Sequence, residues 1–149
     1  LAATGLEAHF RRIAVKPGKP TVFATRGDKL VFGLPGNPGS ALVIARVLVA
    51  TALRRMSGRP DVRPALVHAR LGADLRKKAN RLWLVGATVE DGPEGLIATP
   101  VKTRGSADLP ASVRGRALIV APRGITELSA GERVEVLWWD RTTAALGHR

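Results

Sequence analysis

Two short stretches bring together the residue types that hold anions. In "KPGK", residues 16–19, a Pro-Gly pair separates two lysines. Pro17-Gly18 is the usual occupant of the central positions of a type II turn, which puts Lys16 and Lys19 at its ends with Cα atoms about 7 Å apart or less. Ammonium groups so close repel each other unless an anion sits between them, and Gly18 lets the backbone approach that anion. Taken alone, the four residues read more simply as an exposed basic turn. The second stretch, "GLPGNPGS", residues 33–40, runs straight into an apolar segment. A Gly-rich turn at a helix start offers free amides and the positive end of the helix dipole to an anion. It is neither a P-loop nor a dinucleotide fingerprint, because the Gly-Lys-Ser/Thr ending and the GxGxxG spacing are absent.

The elements around these loops are readable. "HFRRIAVK" (9–16) and "TVFATR" (21–26) are strand-like, Gly27-Asp28 makes a turn, and "KLVFGL" (29–34) returns as a short apolar strand. This hairpin delivers both loops to one edge of a sheet, where α/β proteins bind ligands. A helix follows: Asn37 suits the N-cap, Pro38 the first helical position, and Ser40 can cover a free amide. Arg54 and Arg55 fall in its last turn, with Gly58 as the C-cap residue and Pro60 beyond. The helix is apolar almost all round, so a second layer or a second chain is expected to cover its far face. The opening "LAATGLEAHF" reads as the last turn of a helix entered halfway, so the chain is expected to be the C-terminal part of something longer.

"SGRPDVRP" (57–64) has the composition of a linker. Beyond it, "ALVHARLGADL", "RLWLVGATVED", "GLIATPV", "RALIVAP" and "ERVEVLWWD" are short strands, with turns at "EDGPEG" and "ELSAGE". Strands at this spacing predict a small β-barrel or sandwich. The expected organisation is therefore an α/β fragment over residues 1–58, a linker over 59–64 and an all-β unit over 65–149.

Composition narrows the function classes. The 149 residues contain no cysteine, which excludes disulfides and Cys-based zinc sites, and His9, His68 and His148 are scattered. A net charge of +12 favours polyanionic or phosphorylated partners. A basic nucleic-acid-binding module is one such reading, but aromatics make up only 4% with no tyrosine, which leaves few stacking platforms. The longest apolar run, "ALVIARVLVATAL", is interrupted by Arg46 and falls short of the roughly 20 residues a membrane span needs. With no secretory leader visible, a cytoplasmic protein is expected. Trp138 and Trp139 are expected in the core and at a domain contact, His68 as a plain strand residue, and Lys77, Lys78, Arg114 and Arg116 in solvent.

The ordered pair of loops within "RRIAVKPGKPTVFATRGDKLVFGLPGNPGSALV" resembles the molybdopterin molybdenumtransferases, the MoeA and gephyrin E-domain family, in its C-terminal portion. "RGSADL" (104–109) and "ALIVAPRGITELSAGERVEVL" extend the likeness downstream. The resemblance implies the C-terminal half of a MogA-like three-layer α/β domain followed by a β-barrel domain. It implies insertion of molybdate or tungstate into adenylylated molybdopterin (molybdopterin-AMP), with Mg2+ and release of AMP, by elongated homodimers. By motif, Lys16 and Lys19 would hold the oxyanion or substrate phosphates. Pro35, Gly36, Asn37, Pro38 and Ser40 would line the pterin and molybdate pocket, and Ser106 would face the same cleft. The acidic residues that bind Mg2+ are expected outside this sequence, so the fragment should not turn over alone. Gly39 stands where the family usually has Val, and "RKKANR" (76–81) replaces a Pro-Gly before Arg. A gephyrin-like scaffold role is a further alternative.

Overall fold

The computed structural model describes residues 5–78, 80–102 and 115–138. Its first part contains four strands, β1 (Glu7–Phe10), β2 (Val15–Lys16), β3 (Val22–Arg26) and β4 (Lys29–Gly33). β1, β3 and β4 form an antiparallel sheet in the order β1-β3-β4. The expected hairpin is present: Arg26 pairs with Lys29 across Gly27-Asp28, and Gly27 has the positive φ of 59° that a two-residue turn demands at its first position. Val22 pairs with Gly33, which brings the chain before β3 beside the chain after β4.

Two expectations give way here. Glu7 and Ala8 belong to a strand rather than a helix end, because Thr25 and Ala24 pair with them. "HFRRIAVK" is two strands, not one. A pleated strand sends successive side chains to opposite faces, so one of the adjacent Arg11 and Arg12 would turn inward. Both are exposed in the break between β1 and β2.

The helix runs as α1 (Pro38–Ile44), a π-helical segment (Ala45–Val49) and α2 (Ala50–Met56). Its end follows the expected chemistry. Gly58 has φ +72°, its N–H donates to the Arg55 carbonyl at 3.1 Å, and Arg59 N–H donates to the Arg54 carbonyl at 3.1 Å. These two bonds make a Schellman motif. The start is only half as expected. Asn37 occupies the N-cap with extended backbone (φ −72°, ψ 124°) and Pro38 opens the helix, but the Asn37 side chain caps no amide. Its carbonyl accepts from Ala41 N–H at 2.9 Å.

The second part contains β5 (Ala65–Leu71), β6 (Leu75–Arg76), β7 (Leu82–Gly92), β8 (Gly95–Pro100), β9 (Ala117–Ala121), β10 (Glu127–Leu128) and β11 (Arg133–Trp138). The ladder β7-β8-β5-β11-β9 closes on itself through β9–β7, giving a five-stranded barrel. The "EDGPEG" and "ELSAGE" turns stand where the sequence put them: Gly92 pairs with Gly95, and Glu132 N–H donates to the Ser129 carbonyl at 3.1 Å just before β11. β5 alternates buried and exposed residues along its whole length. Val67, Ala69, Val85, Ala87, Ile119 and Val136 fill the interior, and Trp83 and Trp138 pack against them. His68 lies on the exposed face of β5. Gly115 permits the closure, because a Cβ there would meet Ala87 N at 3.0 Å.

The two parts share packing. Leu84 and Leu118 point out of the barrel and bury against Val43, with Val47 and Leu137 beside them. β2 also joins the barrel, pairing parallel with the start of β7 as Val15↔Leu82 and Lys16↔Trp83. The far face of the helix remains open: Leu53 is 59% and Met56 66% exposed. The second cover that its composition called for is not supplied by the described residues.

Candidate functional site

The "KPGK" segment reaches its place through a further turn beside the expected one, and residues 17–20 all lie in turns. The hydrogen-bonded turn runs from Gly18 to Thr21, with Lys19-Pro20 at its centre, and the Lys16–Pro17 peptide is cis. Thr21 fixes the turn twice: its N–H donates to the Gly18 carbonyl at 3.0 Å, and its fully buried hydroxyl donates to the same oxygen at 2.6 Å. Gly18 has φ +127°, and a Cβ added to it would sit 2.3 Å from Ile44 Cδ1. The glycine thus has a second use that the sequence did not disclose, as the surface on which the loop rests against the helix.

Between this loop, the start of the helix and the barrel lies a cavity of about 690 Å³. Lys16, Gly18 and Lys19 line one wall and Gly39 and Ser40 another, while Trp83, Val85, Pro100 and Leu118 supply an apolar floor. Among the described residues, Arg81 and Lys102 bring the cations on its wall to four, and no carboxylate lines it. Of the sequence-derived set, Lys16, Gly18, Lys19 and Ser40 meet here. Pro35 is buried and Gly36, Asn37 and Pro38 are exposed, and the lining begins one residue later, at Gly39. Ser106, Arg114 and Trp139 lie outside the described residues.

The sequence reading missed Arg81, Trp83 and Lys102. Arg81 and Trp83 flank the first residue of β7, so the pairing of β7 with β2 delivers them to Lys16. The Lys16 ammonium lies over the Trp83 ring, 4.2 Å from its centroid, a cation–π contact. A basic residue two positions before an aromatic at a strand start was the available signal, and it is weak.

Lys77 also departs from expectation. It is half-buried rather than solvated, its backbone N–H donates to the Thr126 carbonyl at 2.8 Å, and its ammonium donates to the Arg81 carbonyl at 3.0 Å. Burial, and after it the charge of Lys16, push its pKa below the ordinary lysine range. The positive potential of the wall is thus felt beyond its own lining. An array of cations and amides without carboxylates fits an oxyanion. It does not fit magnesium, which is held through carboxylate and phosphate oxygens, and among the described residues no cluster of His, Asp or Glu could hold a metal ion.

Comparison with known proteins gives a consistent picture. Residues 68–139 match the family described as MoeA C-terminal region (domain IV), and residues 1–55 match the family described as probable molybdopterin binding domain. A curated relative, the molybdopterin molybdenumtransferase of Staphylococcus aureus, is 26% identical over 135 residues, covering 91% of this chain and 32% of that protein. The molybdenum cofactor synthesis protein cinnamon of Drosophila melanogaster is 50% identical over 50 residues, 34% of this chain and 8% of that protein. Among solved structures, a molybdopterin biosynthesis MoeA protein from Pyrococcus horikoshii superposes with a TM-score of 0.77 at 29% identity, over 93% of this chain and 34% of its own. A molybdenum cofactor biosynthesis protein from Pyrococcus furiosus gives 0.76 at 25% identity, over 90% and 46%. The chain spans about a third of the length of the Staphylococcus relative, 32%.

Proposed function

The chain belongs to the MoeA family, and from that premise we propose that it serves molybdenum cofactor biosynthesis by supplying the cationic wall at which molybdate is inserted into adenylylated molybdopterin. The observation that carries the proposal is the convergence of Lys16, Lys19, Arg81 and Lys102 on one cavity that no carboxylate lines among the described residues. Both substrates are anionic. Transfer of molybdate with cleavage of the phosphoanhydride, releasing AMP, places added charge on oxygen atoms. Fixed cations stabilise such developing charge without reorganising at the moment of reaction. At 4 Å, one ammonium and one oxyanion attract by about 4 kcal/mol at an effective dielectric of 20. Repulsion among the unliganded cations sets part of that attraction free when the anion binds.

The apolar floor has its own role, since a planar ring needs apolar surface and an oxyanion does not. Magnesium has no ligand set here, so no step in this chain is assigned to it. We assign the reaction to a larger protein, with the missing carboxylates contributed from outside these 149 residues. A homodimer accords with the open apolar face of the helix, and a cytoplasmic setting with the chemistry. Among the described residues no helix is long and apolar enough to cross a membrane.

The test is site-resolved lysine acetylation with molybdate added. Lys16 and Lys19 should be protected at molybdate concentrations that leave Lys29 and Lys78 unaffected. Equal protection of all four lysines, or of none, would remove the assignment. Steeply salt-dependent retention on generic DNA would instead favour the nucleic-acid reading.

A further inference from the structure

The Trp83 ring has its surroundings divided between two neighbours. On one side it packs against the barrel core, and the Lys16 ammonium covers the ring at 4.2 Å from the centroid. Trp83 nevertheless lines the same cavity as Lys19, Arg81 and Lys102. A planar ligand that stacks on the open face of the indole must therefore take the place of the Lys16 ammonium. The displaced ammonium stays tethered to β2, whose position is fixed by Lys16↔Trp83 pairing. Lys16 lines the cavity with Lys19, Arg81 and Lys102, so the freed ammonium can turn to an anion held among them.

We propose that Trp83 is a stacking platform for a planar nitrogen heterocycle, and that stacking releases Lys16 to the oxyanion, so that ring binding and oxyanion binding favour each other. This rests on the oxyanion reading above and deepens it by assigning the apolar half of the cavity. The contact with the indole holds the Lys16 ammonium 4.2 Å from the ring centroid, where it is engaged by the ring rather than by an anion. A ring on Trp83 removes that hold. The cation–π contact is worth about 0.5–1 kcal/mol at exposed sites, which converts to about twofold to fivefold in affinity. Because coupling between two binding equilibria is reciprocal, molybdate must tighten ring binding by the same factor. A pterin and an adenine share the required ring chemistry.

The experiment measures molybdate affinity by calorimetry, alone and with saturating 6-hydroxymethylpterin or, in a separate arm, AMP. Wild type should bind molybdate about twofold to fivefold more tightly with the ring that the platform accepts. The arm that shows coupling identifies the heterocycle. Trp83→Leu should bind molybdate alone more tightly than wild type, since Lys16 is no longer held back, and should lose the coupling. Lys16→Met should also lose the coupling while the ring still binds. Absence of coupling in the wild-type chain with either ring overturns the proposal and does so without any variant. Weaker molybdate binding by Trp83→Leu, with Trp83→Phe restoring it, also overturns it, since Trp83 would then merely orient Lys16. In either case protection of Lys16 and Lys19 by molybdate can persist, so the oxyanion reading is tested separately.

Discussion

Replacing Gly18 with alanine tests how the lysine loop is held against the helix. Two costs are separable. The first is conformational: Gly18 has φ +127°, beyond the left-handed helical well, and such a sparsely populated conformation costs an L-residue about 1–3 kcal/mol. The second is steric: the new Cβ would lie 2.3 Å from Ile44 Cδ1 and 2.8 Å from Cγ1. Ile44 is 1% exposed and has little room to retreat, so overpacking adds about 1–3 kcal/mol. The expected destabilisation of Gly18→Ala is thus about 2–6 kcal/mol, the sum of these two ranges. Gly58→Ala is the control for the first cost alone. It has φ +72° with nothing within 4 Å of the added Cβ, so about 1–2 kcal/mol is expected. Ile44→Val costs about 0.5–1.5 kcal/mol by itself, yet it removes the clashing Cδ1. The double variant Gly18→Ala/Ile44→Val should therefore be less destabilised than the sum of the singles, by about 1 kcal/mol. Urea unfolding with unchanged slopes reads these differences, and each kcal/mol corresponds to about 2–4 °C in Tm for a chain of this size. If Gly18→Ala costs no more than Gly58→Ala, or the double variant is additive, the contact with Ile44 does not hold the loop.

Further outcomes follow from other parts of the structure. Gly115→Ala should destabilise the barrel by about 1–3 kcal/mol, since its Cβ would meet backbone atoms of Ala87 and Gly86 at 3.0 and 3.3 Å; urea unfolding within 0.5 kcal/mol of wild type, a change typical of neutral surface sites, would contradict this. Thr21→Val removes one of the two bonds to the Gly18 carbonyl and should cost about 0.5–1.5 kcal/mol, measured in the same way. Lys77 gives a pH signature. Because its folded-state pKa is lowered by burial and by Lys16, the unfolded chain binds the proton more tightly. Its destabilising contribution is complete below the folded pKa and is relieved as pH rises toward the ordinary lysine value. Lys77→Met should flatten that alkaline rise in stability. Molybdate bound at the wall should raise the Lys77 pKa, read by carbon-13 NMR of its Cε, and a fall would refute the electrostatic link to the cavity.

The sequence by itself determined what is written in a few neighbouring residues. Gly27-Asp28 makes its hairpin, Gly58 closes the helix, and the alternation of "ALVHARL" yields a strand with one buried face. In each case the deciding energies are local: a positive φ, a pair of capping bonds, or a period that matches the pleat. The order of the two Gly- and Pro-containing loops was also enough to identify the family. Tertiary structure decided the rest. Whether "HFRRIAVK" is one strand or two depends on β7, whose start at Leu82 pairs with Val15. That a second turn centred on Lys19-Pro20 follows Pro17-Gly18 depends on burying Thr21 and on fitting Gly18 against Ile44. Lys16 meets the Trp83 ring, and shares a cavity with Arg81 and Lys102, only because β2 pairs with the start of β7 beside the closed barrel. No local rule links these positions. Their encounter is set by which apolar faces must leave water together, a property of the whole chain rather than of any window within it.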